Sequence, residues 1–110
     1  MVIQTRVFAA KMAEFRLSLD DLRIIENEII EDPKGWPVIR GAAGLRKMRY
    51  AAEKSSGGKS GGFRICYFAI DRASRIYLLT LFAKNEMENL KAADLRNFSA
   101  VIAALKFENP

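Results

Sequence analysis

Two strand-like runs separated by four residues constrain this chain more than any other feature. Phe63–Ile70 (FRICYFAI) and Arg75–Ala83 (RIYLLTLFA) are dense in aromatic, β-branched and aliphatic residues, and Asp71–Ser74 reads as a tight turn between them. That pattern predicts an antiparallel hairpin. Leu45–Ala51 alternates and predicts a third strand, joined to the hairpin through Glu53–Gly62 (EKSSGGKSGG), a flexible loop by composition. Residues 2–8 (VIQTRVF) predict an N-terminal strand.

Helical periodicity fills the intervals. A short helix is predicted over Ala10–Leu17. Ser18 then reads as an N-cap, with Asp21 three residues on in the manner of a capping box. Leu22, Ile25 and Ile29 follow at helical spacing, with Ile30 broadening the stripe, and Asp32–Pro33 stops the helix. The two helices read as a helical hairpin. Residues 33–44 (PKGWPVIRGAAG), with two prolines and three glycines, form the longest connection. The last helix carries Leu95, Phe98, Ile102 and Leu105 on one stripe, and Lys91 is a poor residue to cap it. The predicted class is α+β: an N-terminal strand, a helical hairpin, three antiparallel strands in one sheet, and a C-terminal helix, with helices covering one sheet face.

At 110 residues, half of them hydrophobic and 28% charged, the chain suits one globular domain spanning 1–110. There is no apolar run long enough for a membrane span, and the start MVIQTRVF lacks a secretory apolar region, so a cytoplasmic protein is expected. One cysteine, Cys66, excludes an internal disulfide framework, and it reads as a small buried hydrophobe. There is no histidine. With one Cys and no His, no zinc site and no other metal or cofactor is expected, and any catalysis runs on Lys, Arg, Tyr or carboxylates.

The positive charge is concentrated. Residues 45–68 hold Arg46, Lys47, Arg49, Lys54, Lys59 and Arg64 against one acid, Glu53, and so carry +5, which equals the net charge of the whole chain. Such a patch points to a polyanion, with nucleic acid as first candidate. Strand alternation divides it. Lys47 and Arg49 point one way, and Arg46, Met48 and Tyr50 the other. Arg64, Cys66 and Phe68 oppose Phe63, Ile65 and Tyr67, while Leu78, Thr80, Phe82 and Lys84 alternate with Leu79, Leu81 and Ala83. If Ile65, Tyr67, Leu79 and Leu81 face the helices, then Lys47, Arg49, Arg64 and Lys84 converge on the open face. A lone Lys or Arg on a strand is ordinarily just solvated. Clustering by both sequence and parity argues for more.

The segments GAAGLRKMRYA, GGFRICYFAID and IYLLTLFAKNEMENL together resemble the RelE/HigB-type toxins of bacterial type II toxin–antitoxin systems, within the RelE/ParE superfamily. The likeness runs over nearly the whole chain, and the arrangement LRK-x-R, Gly-rich loop, G-x-R-I-x-Y and KNE carries it. The resemblance implies a RelE-like fold and a hydrolase of the mRNA interferase type: a ribosome-dependent endoribonuclease that cleaves mRNA in the A site and inhibits translation. It implies a cognate helix-turn-helix (HigA-like) antitoxin, with the ribosome and mRNA as further partners. Lys47 and Arg49 match the family's basic pair, Arg64 the arginine of its G-x-R motif, and Lys84 and Asn85 the basic segment after the last strand. This chain carries Asn85 where some relatives have an arginine, and Lys91 where they have a tyrosine. Phe82, or Tyr50 on the reverse parity, is then the aromatic available to stack a base.

The expected chemistry is attack by the RNA 2′-OH on the adjacent phosphate, leaving a cyclic phosphate and a 5′-OH. Arg64 with Arg49 suits the phosphorane charge, because arginine offers fixed bidentate donors. Lys47 or Lys84 suits proton transfer, since lysine deprotonates more easily among other cations. Arg46, Lys54, Lys59, Phe82, Asn85 and Lys91 are the candidate RNA-binding residues, the two loop lysines gripping backbone. Two other readings share these features: a ParE-like toxin acting on DNA gyrase without cutting RNA, and a plain RNA-binding module.

Overall fold

Thr5 turns the chain out of its first strand. Its side chain accepts a hydrogen bond from the Phe8 N–H at 3.0 Å and donates to the Leu79 carbonyl at 2.7 Å, so it caps a helix while tying that helix to the sheet. The computed structural model, which describes residues 1–52, 62–71 and 74–109, therefore has a short β1 (Val2–Gln4) and an early α1 (Arg6–Glu14), where the sequence predicts a strand to residue 8 and a helix from Ala10 to Leu17. The helix ends before Leu17 because Arg16 adopts a left-handed conformation (φ 56°). The Leu17 N–H returns to the Met12 carbonyl and the Arg16 N–H to the Ala13 carbonyl, the pairing of a Schellman close.

Helix α2 (Leu19–Glu31) begins with the capping box read from the sequence: the Asp21 N–H donates to Ser18 Oγ at 3.1 Å, and the Ser18 N–H donates to Asp21 Oδ2 at 2.7 Å. Ile25 and Ile29 are fully buried, whereas Ile30 is 54% exposed and lies outside the apolar stripe. Strands β2 (Arg46–Tyr50), β3 (Phe63–Ile70) and β4 (Arg75–Ala83) are followed by a short α3 (Lys84–Glu88) and by α4 (Ala92–Glu108). The sheet order is β1-β4-β3-β2: the three long strands are antiparallel as expected, and β1 adds parallel to β4, making the sheet mixed. The Ser74 N–H closes the β3–β4 turn onto the Asp71 carbonyl. Among the described residues no helix is long and apolar enough to cross a membrane.

Helices cover both faces of the sheet, not one. On the first face Phe8, Met12, Ile25 and Ile29 from α1 and α2 pack with Met48, Tyr50, Ile65, Tyr67, Leu78 and Leu81. On the second, Ile102 of α4 and the connection residues Ile39, Ala42 and Leu45 pack with Cys66, Phe68, Tyr77 and Leu79. An irregularity makes this possible. Cys66 pairs with Thr80 but Tyr67 with Leu78, so Leu79 is an extra residue and the alternation of β4 reverses there. Leu81 and Leu78 consequently share a face, and Leu79, predicted to join Ile65, Tyr67 and Leu81, lies opposite them. The α4 stripe of Leu95, Phe98, Ile102 and Leu105 packs as its spacing predicts. Its N-cap, Lys91, offers no side-chain bond to the helix; instead the Lys91 N–H donates to Asp94 Oδ2 at 2.9 Å.

Candidate functional site

The register of three strands builds a row of side chains on the second face. Arg49 pairs with Arg64, and Arg64 with Phe82; in the next row Lys47 pairs with Cys66, and Cys66 with Thr80. Because paired residues project to the same side of a sheet, Lys47, Arg49, Arg64 and Phe82 leave one surface together. Lys47 and Arg49 are exposed and Arg64 is partly buried. The three cations line a cavity of about 270 Å³ whose remaining wall is Trp36 and Pro37. Among their charges the Cys66 thiol is fully buried. Burial pushes it up to about 12, against the opposing pull of Lys47, so the thiol stays protonated and is no nucleophile.

The other candidates are distributed differently. Strand β4 ends at Ala83, so Lys84 is not part of its alternation; it is the exposed first residue of α3. Asn85 spends its side-chain oxygen on the Glu86 N–H at 3.0 Å. Lys91 is exposed at the head of α4. Lys84, Asn85 and Lys91 do not line the 270 Å³ cavity. The Phe82 ring meets Phe98 edge-on at 6.2 Å between centroids, with Lys11 Nζ 5.7 Å from its centre. Tyr50 is buried on the first face, where its hydroxyl donates to Asp21 Oδ1. Lys54 and Lys59 lie outside the described residues.

Arg46 leaves the sheet on the side away from Lys47 and Arg49. Its guanidinium donates to the Trp36 carbonyl at 2.6 Å and to the Lys34 carbonyl at 3.2 Å. The same connection is held by the Tyr67 hydroxyl, which donates to the Pro33 carbonyl at 2.8 Å, and by the Lys47 N–H, which donates to the Pro37 carbonyl at 3.0 Å. Burial raises the Tyr67 hydroxyl above the usual tyrosine range, and nearby Asp32 adds to this while Arg46 opposes it. Trp36 thus enters the site from a segment that sequence reasoning treats only as a connection. The available signal was composition: it is the one tryptophan of the chain, set in the Pro/Gly-rich stretch directly before the basic strand.

Phosphate recognition is what this surface can do chemically. Two arginines and a lysine border one cavity without an acid among its lining residues, and arginine binds phosphate oxygens through paired donors.

No family model matches the chain. Its structure is similar to that of a mutant of the E. coli toxin RelE in the free state, at a TM-score of 0.51 and 18% identity, over 91% of this chain and 93% of that one. It is also similar to a chain in the crystal structure of the intact E. coli RelBE toxin–antitoxin complex, at a TM-score of 0.51 and 18% identity, over 74% of this chain and 92% of that one. With its N-terminal strand, helical hairpin, mixed four-stranded sheet and C-terminal helix, the chain has a RelE-like fold.

Proposed function

We propose that this protein is the toxin of a toxin–antitoxin pair and an endoribonuclease that cuts mRNA in the ribosomal A site. The observation that carries the reading is the register row Arg49–Arg64, with Lys47 beside it, opening on one cavity. Its likeness in fold to E. coli RelE supports the toxin role. A helix-turn-helix antitoxin of the HigA type is the proposed neutralising partner.

In this reading Arg49 and Arg64 clamp the scissile phosphate and stabilise the extra charge of the phosphorane. The 2′-OH attacks phosphorus, its proton passes to a base, and the 5′-oxygen leaves with a proton from an acid. Lys47, which lines the cavity, is the lysine proposed for one of those transfers, and Lys84, at the head of α3 and outside that lining, is the candidate for the other. With no histidine to take either role, alignment of the attacking and leaving oxygens must come from elsewhere. A ribosome holding mRNA in the A site provides it, and in-line positioning is worth several kcal/mol, on the order of 7 or more in well-oriented systems.

The test is primer extension on one mRNA, with and without translating ribosomes. Cleavage is expected only in their presence and is lost with Arg49→Ala. Equal cutting of naked and translated mRNA overturns the ribosome dependence, and no cutting of either overturns the nuclease reading.

A further inference from the structure

We infer that Trp36 forms the wall of a nucleobase subsite beside the phosphate-binding row, a reading that rests on the proposed function. Trp36 stands between two adjoining cavities. One, of about 270 Å³, is lined by Lys47, Arg49 and Arg64; the other, of about 490 Å³, by Glu28, Glu31 and Asp32; Trp36 borders both, and Arg49 does too. An RNA backbone seated on the cations is repelled by the carboxylates beyond them. What reaches across Trp36 is therefore the uncharged part of the nucleotide, and an indole is the best protein surface for stacking a base.

The tryptophan is held in place as a platform. Asp32 and Gly35 close a turn immediately before it: the Gly35 N–H donates to the Asp32 carbonyl at 3.0 Å, and a Cβ on Gly35 would come within 2.3 Å of the Asp32 carboxylate. Pro37 follows and restricts Trp36 to an extended backbone. The Lys34 and Trp36 carbonyls accept from Arg46, and the Pro37 carbonyl from the Lys47 N–H, so both flanks are bonded to β2. Trp36 is half-buried: it packs on the first core and also borders both cavities. A side chain fixed in this way loses little freedom on binding, which favours stacking.

Because Trp36 is the one tryptophan of the chain, its emission reports the subsite directly. The probes are a 2′-O-methyl RNA hexamer, which lacks the attacking hydroxyl, and an abasic hexamer with the same phosphates, both followed by anisotropy of an end label. Quenching by the base-bearing hexamer and not by the abasic one is the expected result. Binding of both with equal or no change in emission overturns the subsite and leaves the cleavage reading standing. In the ribosome assay Trp36→Phe retains cleavage within about threefold, whereas Trp36→Ala raises KM about tenfold, as loss of one stacked base predicts. Equal losses in the two variants, or no loss in either, also overturn the subsite. Absence of mRNA cutting by the wild type with no hexamer binding overturns the proposed function, and this inference falls with it.

Discussion

Arg49 and Arg64 are register partners across β2 and β3, so two guanidinium-bearing side chains leave the same sheet face next to one another. Like charges placed directly opposite weaken a sheet by a few tenths to about 1 kcal/mol. Arg49→Ala is therefore expected to leave unfolding stability unchanged or raised by up to about 1 kcal/mol, while cleavage falls on the order of 10²- to 10³-fold. Urea unfolding and primer extension on the same preparation check this. A stability loss that accompanies the activity loss would assign Arg49 to the scaffold.

The salt dependence of RNA binding separates phosphate contacts from structural arginines. Each phosphate neutralised on a single strand contributes about 0.7 to the slope of log K against log salt. Lys47→Ala is expected to lower the slope by about that amount. Arg46→Met is expected to leave the slope alone, because its guanidinium already serves the carbonyls of Lys34 and Trp36. Anisotropy titrations with a labelled single-stranded RNA measure both, and a fall in slope for Arg46→Met returns that residue to the RNA interface.

Asp21 couples the start of α2 to the sheet. One oxygen of its carboxylate accepts from the Ser18 N–H and hydroxyl, and the other from the Tyr50 hydroxyl. Tyr50→Phe removes one of these bonds and is expected to cost about 1 kcal/mol, whereas Asp21→Ala removes all of them, at about 2–3 kcal/mol. Urea denaturation midpoints rank the two variants; equal losses would show that the carboxylate does not bridge helix and strand.

Stability is expected to fall at alkaline pH. The Cys66 thiol, pushed up to about 12 in the folded protein, keeps its proton where an unfolded thiol, ordinarily at 9.0, has lost it. The folded state then binds more protons, so its advantage is complete below about pH 9 and is lost as pH rises towards 12. Tyr67, also raised, acts in the same direction above its ordinary 10.0. Urea midpoints should stay flat through neutral pH and decline above pH 9, and Cys66→Ala should flatten the first part of that decline. A midpoint that rises with pH there contradicts the assignment.

Much of the architecture was legible in the sequence where one local rule acted alone. The capping box at Ser18 and Asp21 and the α4 stripe are read from fixed spacings, and the structure holds both. Alternation in β2 and β3, with Ile65 and Tyr67 assumed to face the helices, puts Lys47, Arg49 and Arg64 on a common face, and the register agrees because neither strand slips between those residues. It fails at Leu79, where one unpaired residue reverses the parity of β4, and at Lys84, which lies past the end of that strand and begins a helix. The start of α1 is not legible because Thr5, β-branched and strand-like in sequence, bonds both the helix and the Leu79 carbonyl of a strand far along the chain. Trp36 is hidden from the sequence for a related reason. Its position depends on bonds from Arg46, Lys47 and Tyr67, which only the folded chain brings to residues 33–37.

The division of labour within Leu45–Tyr50 (LRKMRY) bears on how such a protein would be silenced by mutation. Arg46 stitches the tryptophan-bearing segment to β2, while its neighbours Lys47 and Arg49 face the cavity. A selection for cells that survive expression of the chain would recover changes at all three positions and display them as one uninterrupted basic block. On the proposed function, escape through Arg46 is expected to be loss of shape, and escape through Arg49 loss of chemistry. Protease sensitivity of the recovered variants distinguishes the two, so a list of inactivating substitutions outlines the active surface only after it has been sorted by folding.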